Sequence, residues 1–166
     1  MNFWIISDTH FGHKNIEKYC NRQLNFEDKI LASLEKDIKE NDVLIHLGDF
    51  CFGKDTEWHQ KFFEKTKCLK YWLVIGNHDK NTISWYLTHG WDFVGHEIIL
   101  YMYGKIILFS HRANMEGRFD INIHGHYHNN SSQPIDDKYY LIKMEDEYCA
   151  INLKKIIEEK KPCLEQ

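Results

Sequence analysis

The pattern of apolar runs predicts an α/β fold built on two sheets. In the first half of the chain, short apolar runs alternate with segments of helical periodicity, as in a parallel sheet with crossover helices. In the second half, strand-like runs follow one another across tight polar turns, which implies a second sheet of mixed or antiparallel pairing. No linker, repeat or low-complexity stretch interrupts the 166 residues, so one domain is expected over 1–166.

The elements follow in order. Residues 2–7 (NFWIIS) read as a buried strand and 14–20 as a short helix. Asn25 followed by Asp28 resembles an N-cap with an acidic first turn. Phe26, Ile30, Leu31, Leu34 and Ile38 then recur at helical spacing, which predicts a helix over 26–40 that Asn41-Asp42 ends. Residues 43–47 are the second strand, 55–65 a helix with Trp58, Phe62 and Phe63 on one side, and 71–75 the third strand. A helix over 81–88 ends near Gly90. Residues 97–103 and 105–109 form two strands around Gly104, and 121–123 a short strand. Further strands over 139–143 and 148–153 flank a polar turn at 144–147, and 154–161 is a short charged helix before Pro162. Trp4, Trp72, Phe93 and Phe109 lie in apolar runs and are expected in the core.

Composition narrows the function. Hydrophobic residues at 43% and aromatics at 14% fit a globular chain. A net charge of -4 weighs against a binder of duplex nucleic acid, which needs a basic face. Cys20, Cys51, Cys68, Cys149 and Cys163 are odd in number and form no C-x-x-C pair, and no secretory leader is evident. Reduced thiols in a cytoplasmic protein are the expectation. No apolar stretch approaches the roughly 20 residues of a membrane helix, so no membrane partner is expected.

Five short blocks carry the chemistry: Asp8-Thr9-His10, Gly48-Asp49, Gly76-Asn77-His78-Asp79, Ser110-His111 and His124-Gly125-His126. They follow the apolar runs FWIIS, VLIHL, WLVI, IILF and INI, at the carboxyl ends of strands, where ligands gather in α/β sheets. Carboxylate, amide oxygen and imidazole make a ligand set of intermediate hardness, suited to manganese, iron or zinc. Two such ions about 3.5–4 Å apart can clamp a phosphoryl group and hold a bridging hydroxide as nucleophile. Asp49 stands alone in its block and is the candidate bridge between them. Neutral Asn77 keeps the site from repelling an anionic substrate. His124 and His126 are two apart, so both rings would face one side if the segment is extended. His78 adjoins Asn77 but would point away from it. It is the candidate proton donor to the leaving oxygen, with Asp79 the candidate to orient it.

The order D-x-H, G-D, G-N-H-D, H, and G-H-x-H or H-G-H, spread over residues 8 to 126, resembles the calcineurin-like metallophosphoesterases. The stretch SDTHFGH is similar to a small stand-alone bacterial or phage branch of that family. The resemblance implies a four-layer α/β/β/α sandwich of two mixed sheets flanked by helices. It implies that Asp8, His10, Asp49 and His126 hold a first metal, and that Asp49, Asn77, His111 and His124 hold a second. It implies His78 as proton donor, with Asp49 and His78 the catalytic pair. Manganese is the expected metal, with iron, zinc or nickel as alternatives. The chain departs from small relatives where a Pro is expected after Arg22 and near His111, having Gln23 and Arg112-Ala113 instead, which touches the substrate wall. It also lacks a capping domain, so a homodimer partner could complete the pocket.

His13, Asn77, His78 and Arg112 are candidates to bind substrate. His13 could equally cap the following helix, and Lys14, Arg112, Arg118 and Asn114 could be plain solvated side chains. Phe11 could stack on a base or pack beneath its loop. His128 is read as lying behind the site or at the surface, His46 as packed, and His59, His89 and His96 as facing solvent. The leading expectation is a phosphodiesterase or phosphatase for a small, nucleotide-type phosphate ester. A single-stranded DNA nuclease would need a basic strip through Lys14, Arg112 and Arg118. A non-catalytic scaffold like the retromer subunit of this fold is the least favoured, because every block is intact.

Overall fold

The computed structural model describes residues 1–128 and 136–160, so Pro162, Cys163 and the last residue of the expected C-terminal helix lie outside the described residues. Strands are β1 (Phe3–Ile6), β2 (Val43–His46), β3 (Lys70–Val74), β4 (Phe93–Gly95), β5 (Glu97–Met102), β6 (Lys105–Ser110), β7 (Ile121–His124), β8 (Tyr139–Leu141) and β9 (Ile151–Asn152). Helices are α1 (Ile16–Cys20), α2 (Phe26–Asp37), α3 (Asp55–Lys65), α4 (Ile83–Thr88), α5 (Met144–Glu147) and α6 (Leu153–Glu159). None is long and apolar enough to cross a membrane.

Two mixed sheets flanked by helices result. One has the order β4-β3-β2-β1-β9, the other β5-β6-β7-β8. β1 to β4 run parallel and β9 joins antiparallel to β1. In the second sheet β5 and β6 form the hairpin expected around Gly104, while β7 and β8 add in parallel. Side-chain alternation divides the core in two. Ile6, Leu44 and Leu73 pack with Phe26, Ile30, Leu31 and Leu34 of α2, Phe62 of α3 and Tyr86 of α4. Ile5, Val43, Ile45 and Val74 pack across to Ile98, Ile107, Phe109, Ile121 and Ile123 of the second sheet, with Leu153, Ile156 and Ile157 of α6. Each fully buried aliphatic or Phe side chain contributes about 1.5–3 kcal/mol, so these contacts fix the strand ends that carry the ligand blocks.

Some expectations need correction. Asn25 sits at the start of α2 but takes φ 61° and its side chain caps nothing; its carbonyl, bonded to the Lys29 amide, begins the helix. β4 was not anticipated as a strand, and because it is an edge strand its Phe93 is 42% exposed rather than core. The expected strand over 148–153 shrinks to two-residue β9, and the turn at 144–147 closes into α5. His59 is buried, its Nδ1 2.7 Å from the Asp55 carbonyl, because α3 turns it under Phe50 and Trp91.

A candidate metal centre

Asp8, Asp49 and Asn77 lie two or three residues past the ends of the parallel strands β1, β2 and β3, and His111 and His126 lie one and two residues past the ends of β6 and β7. Backbone bonds stitch these ends together: Asp8 N donates to Gly48 O at 2.9 Å, His10 N to Asp49 O at 3.0 Å and Gly125 N to His111 O at 3.1 Å. Asp8, His10, Asp49, His126 and His128 all take positive φ, at 52°, 48°, 56°, 72° and 47°. Such conformations cost a non-glycine residue about 1–2 kcal/mol each, and five among facing side chains mark a site whose geometry is imposed by its surroundings. Gly76 and Gly125 permit the convergence. A Cβ on Gly76 would lie 2.2 Å from Asp49 Oδ1, and one on Gly125 1.9 Å from Ser7 Oγ.

Each aspartate has one oxygen pinned and one turned inward. Asp8 Oδ2 accepts from Ser7 Oγ at 2.5 Å and from His126 N at 2.9 Å, while Oδ1 is buried without a partner. Asp49 Oδ1 accepts from His78 N at 2.8 Å. Its Oδ2 lies 3.7 Å from His10 Nε2, 3.4 Å from His111 Nε2 and 4.0 Å from His78 Nε2. Two ligand groups form around this oxygen. In one, Asp8, His10 and His128 offer donor atoms within 4.8 Å of one another. In the other, Asp49, His111 and His126 do so, with Asn77 Oδ1 3.0 Å from His111 Nε2.

The donor set is that of a cation site. His111 Nδ1 lies 2.8 Å from the Leu47 carbonyl, which can only accept, so that nitrogen carries the proton. The ring's Nε2 faces Asn77 Oδ1 and His126 Nδ1, the latter at 3.1 Å, and lies 3.4 Å from Asp49 Oδ2. Imidazole, amide oxygen and carboxylate converge there, a set that a divalent ion can bridge by displacing whatever proton the rings share. Burial raises the Asp8 pKa above the carboxylate range. Burial pulls His10 down to about 2 and His126 to about 4, so both imidazoles are neutral and able to coordinate. Burial likewise opposes charge on His111, but Asp49 and Asp8 outweigh it and raise its pKa. Burial also opposes charge on His128. The Cys20 thiol, Glu145 and Asp8 overcome it and push His128 up to about 10, so a cation arriving there displaces a proton.

The sequence profile of the calcineurin-like phosphoesterase superfamily domain matches residues 1–143. The chain belongs to that superfamily. An uncharacterized protein of Methanocaldococcus jannaschii is 33% identical over 138 residues, covering 76% of this chain and 69% of the relative. The crystal structure of a protein of unknown function from Aquifex aeolicus aligns with a TM-score of 0.78 at 29% identity, over 95% of this chain and 98% of that one. Vps29 of Chaetomium thermophilum aligns with a TM-score of 0.50 at 12% identity, over 93% of this chain and 73% of that one, a likeness of fold alone.

Members of this superfamily use divalent metals, and the structure redistributes the ligands that the sequence suggested for a calcineurin-like phosphoesterase. Asp8, His10, Asp49, Asn77 and His111 come together. His126 joins His111 and Asn77 instead of His10, and His128 takes the place beside Asp8 and His10. His124 belongs to neither group. β7 points Ile121 and Ile123 between the sheets, so Asn122 and His124 face the other way. The His124 ring packs against Tyr127 and Tyr139. Gly125-His126-Tyr127-His128, in the G-H-x-H register, thus presents the two histidines that reach these groups.

Other roles shift as well. The Asp79 side chain makes no hydrogen bond to His78. Its carboxylate accepts from the backbone N–H groups of Asp49 at 2.8 Å, Phe50 at 3.0 Å and Gly76 at 2.8 Å, so it braces the loops that carry the ligands. Arg22 was missed by sequence reasoning, since a lone buried arginine leaves no periodic signal. Its guanidinium donates to the carbonyls of Asp8 at 2.5 Å and Thr9 at 2.8 Å and to Glu145. Glu145 lies 2.9 Å from His128 Nδ1. A cavity of about 720 Å³, lined by His13, Lys14, Phe52, His78, His126 and His128 among others, opens over the centre. A second cleft of about 530 Å³ holds His96, Arg112 and Asn114 and shares Asn77 with the first. Arg112 Nη2 reaches Asn77 Oδ1 at 3.4 Å.

Proposed function

We propose that this chain is a binuclear metal-dependent hydrolase of small phosphate esters. The observation that carries the reading is Asp49 Oδ2, placed between the His10 and His111 rings of the two ligand groups. Asp8, His10, His128 and Asp49 would hold one ion, and Asp49, Asn77, His111 and His126 the other. Manganese suits this mixture of carboxylate, amide and imidazole, with iron, zinc or nickel as alternatives. When bound, the ions supply Lewis acidity at the phosphoryl oxygens and a nucleophile from water at neutral pH.

The chain's own groups do the rest. Asn77 contributes oxygen without charge, which leaves an anionic ester less repelled. His78 is 39% exposed at the cavity wall with Nε2 4.0 Å from Asp49 Oδ2, so it can hold a proton there and pass it to the departing ester oxygen. His13 and Arg112 each line one of the two clefts and are placed to meet the substrate. The clefts meet at Asn77, leaving room for two ester arms, and this favours a phosphodiester over a monoester. A single-stranded nucleic acid is second, because Lys14 and Arg112 lie in separate clefts and Arg118 lines neither.

The test is turnover of bis-p-nitrophenyl phosphate and p-nitrophenyl phosphate with added manganese, iron, zinc or nickel, alongside the metal content of the protein. Turnover of the diester in excess of the monoester, with two ions per chain, is expected. Two bound ions with no turnover of either ester would remove the hydrolytic reading.

A further inference from the structure

One wall of the larger cavity is unused by the hydrolytic groups. Phe52 is 50% exposed and Tyr19 72% exposed, and both line that cavity with His13. The His13 and Phe52 rings stack at 4.4 Å with 21° between their planes, and Tyr19 lies 6.1 Å from His13. Phe52 meets the His78 ring edge-on at 5.8 Å, so the aromatic wall reaches the proposed proton donor. Backbone structure holds it in place. Phe52 N donates to the Phe11 carbonyl at 2.9 Å, just after the bridge between Phe11 and Cys51, and Tyr19 is carried on α1. Phe11, the ring that the sequence suggested for stacking, is fully buried against Trp58 and cannot reach a ligand.

A single exposed aromatic needs no explanation, but two on the wall of the cavity that holds the ligand groups do. They offer π-faces beside a site for phosphoryl oxygens, with the cation of Lys14 lining the same cavity. A flat ring attached to a phosphate matches both features, and a nucleobase is such a ring. We infer that Phe52 and Tyr19 form a shelf for the base of a nucleoside phosphate ester. The enzyme then selects such esters over those of plain sugars or polyols. This rests on the phosphoesterase reading and names its substrate class.

Two readouts test the shelf separately from the hydrolysis. The first is kcat/KM for matched esters with manganese: adenosine monophosphate against ribose 5-phosphate, and a dinucleoside monophosphate against glycerophosphocholine. The second is calorimetric affinity for adenosine monophosphate against ribose 5-phosphate with chelator present, so that nothing is consumed. Wild type should favour the base-bearing partner by roughly tenfold or more in both. Phe52→Ala and Tyr19→Ala should shrink that preference, Phe52→Trp should keep it, and Tyr101→Ala, on the exposed face of β5, should not alter it. Equal affinity for the two monophosphates in wild type, or a preference that survives Phe52→Ala and Tyr19→Ala together, would overturn the shelf. If no ester is turned over, the hydrolytic reading fails alone, and the affinities still decide for or against the shelf.

Discussion

Side chains of one type, two residues apart, have different fates in this chain. His124 closes β7 and faces away from the centre, whereas His126 and His128 leave the strand through positive φ and turn inward. The His128→Ala protein should therefore retain close to one ion per chain, and the His124→Ala protein two, by elemental analysis after dialysis; the reverse pattern would restore the H-G-H register. His78→Ala should keep both ions while kcat falls by about 10²–10⁴, the usual contribution of a general acid. Asp42 shows the same economy far from the centre. Its carboxylate accepts from Asn2 N at 2.7 Å, Trp4 Nε1 at 2.9 Å and Lys39 N at 3.2 Å. Burial works to raise its pKa, but these donors prevail and hold it below the ordinary 3.8. A depressed carboxylate contributes stability above its unfolded pKa and loses it as pH falls through the folded value. Asp42→Asn should cost about 1–3 kcal/mol at pH 7, since an amide turns N–H groups toward donors. That difference, read by urea denaturation, should close as pH drops below 3.8. A gap unchanged at low pH would mean the carboxylate charge does not matter.

Elements carry what residues cannot. α5 has four residues, yet its Glu145 contacts both Arg22 and His128, linking the C-terminal part of the chain to the β1 loop. A carboxylate behind a ligating imidazole fixes its orientation, and losing it commonly lowers metal affinity by about 10–100-fold. Glu145→Gln should show that drop in manganese titrations at the His128 ion while the other is held nearly as before. Equal weakening of both ions would point to general loosening instead. The sequence announced α2 and α3 because five apolar side chains at helical spacing, or a row of aromatics, leave a long signal. It also set Asp8, Asp49, Asn77 and His111 beside strand ends, and the structure brings these residues near one another. It did not announce β4 or α5, which have three and four residues and no room for a period, and it drew two-residue β9 too long. The geometry after β7 departs from the expected H-G-H register for a related reason. Period-two reasoning requires extended backbone, and φ of 72° at His126 and 47° at His128 ends it. Strain of that kind is set by tertiary contacts such as Asp8 Oδ2 with His126 N, 118 residues apart.

At the scale of the whole molecule, the two packed cores support a centre that is unfavourable by itself. Asp8 is 1% exposed with Oδ1 unpaired, and its raised pKa means that folding penalises its charged form. A buried ion wholly without a partner costs about 3–5 kcal/mol, a large share of the 5–15 kcal/mol by which domains are stable, and the His128 ring 3.8 Å from Oδ1 offsets only part of that. A cation that binds only the folded chain offsets this, by about 2.7 kcal/mol at a hundredfold excess over its Kd. For a chain of this length that is a rise in Tm of about 5–10 °C. Manganese should therefore raise the thermal midpoint of wild type by that amount, and a chelator should reverse it. Asp8→Asn separates cost from benefit. An amide oxygen can still accept from Ser7 Oγ and His126 N, while the charge is gone. With chelator present the variant should melt at or above wild type; with manganese it should gain markedly less than wild type does. If the variant melts well below wild type without metal, the Asp8 charge is already balanced by the protein, and the strained strand ends are not being held ready for an ion.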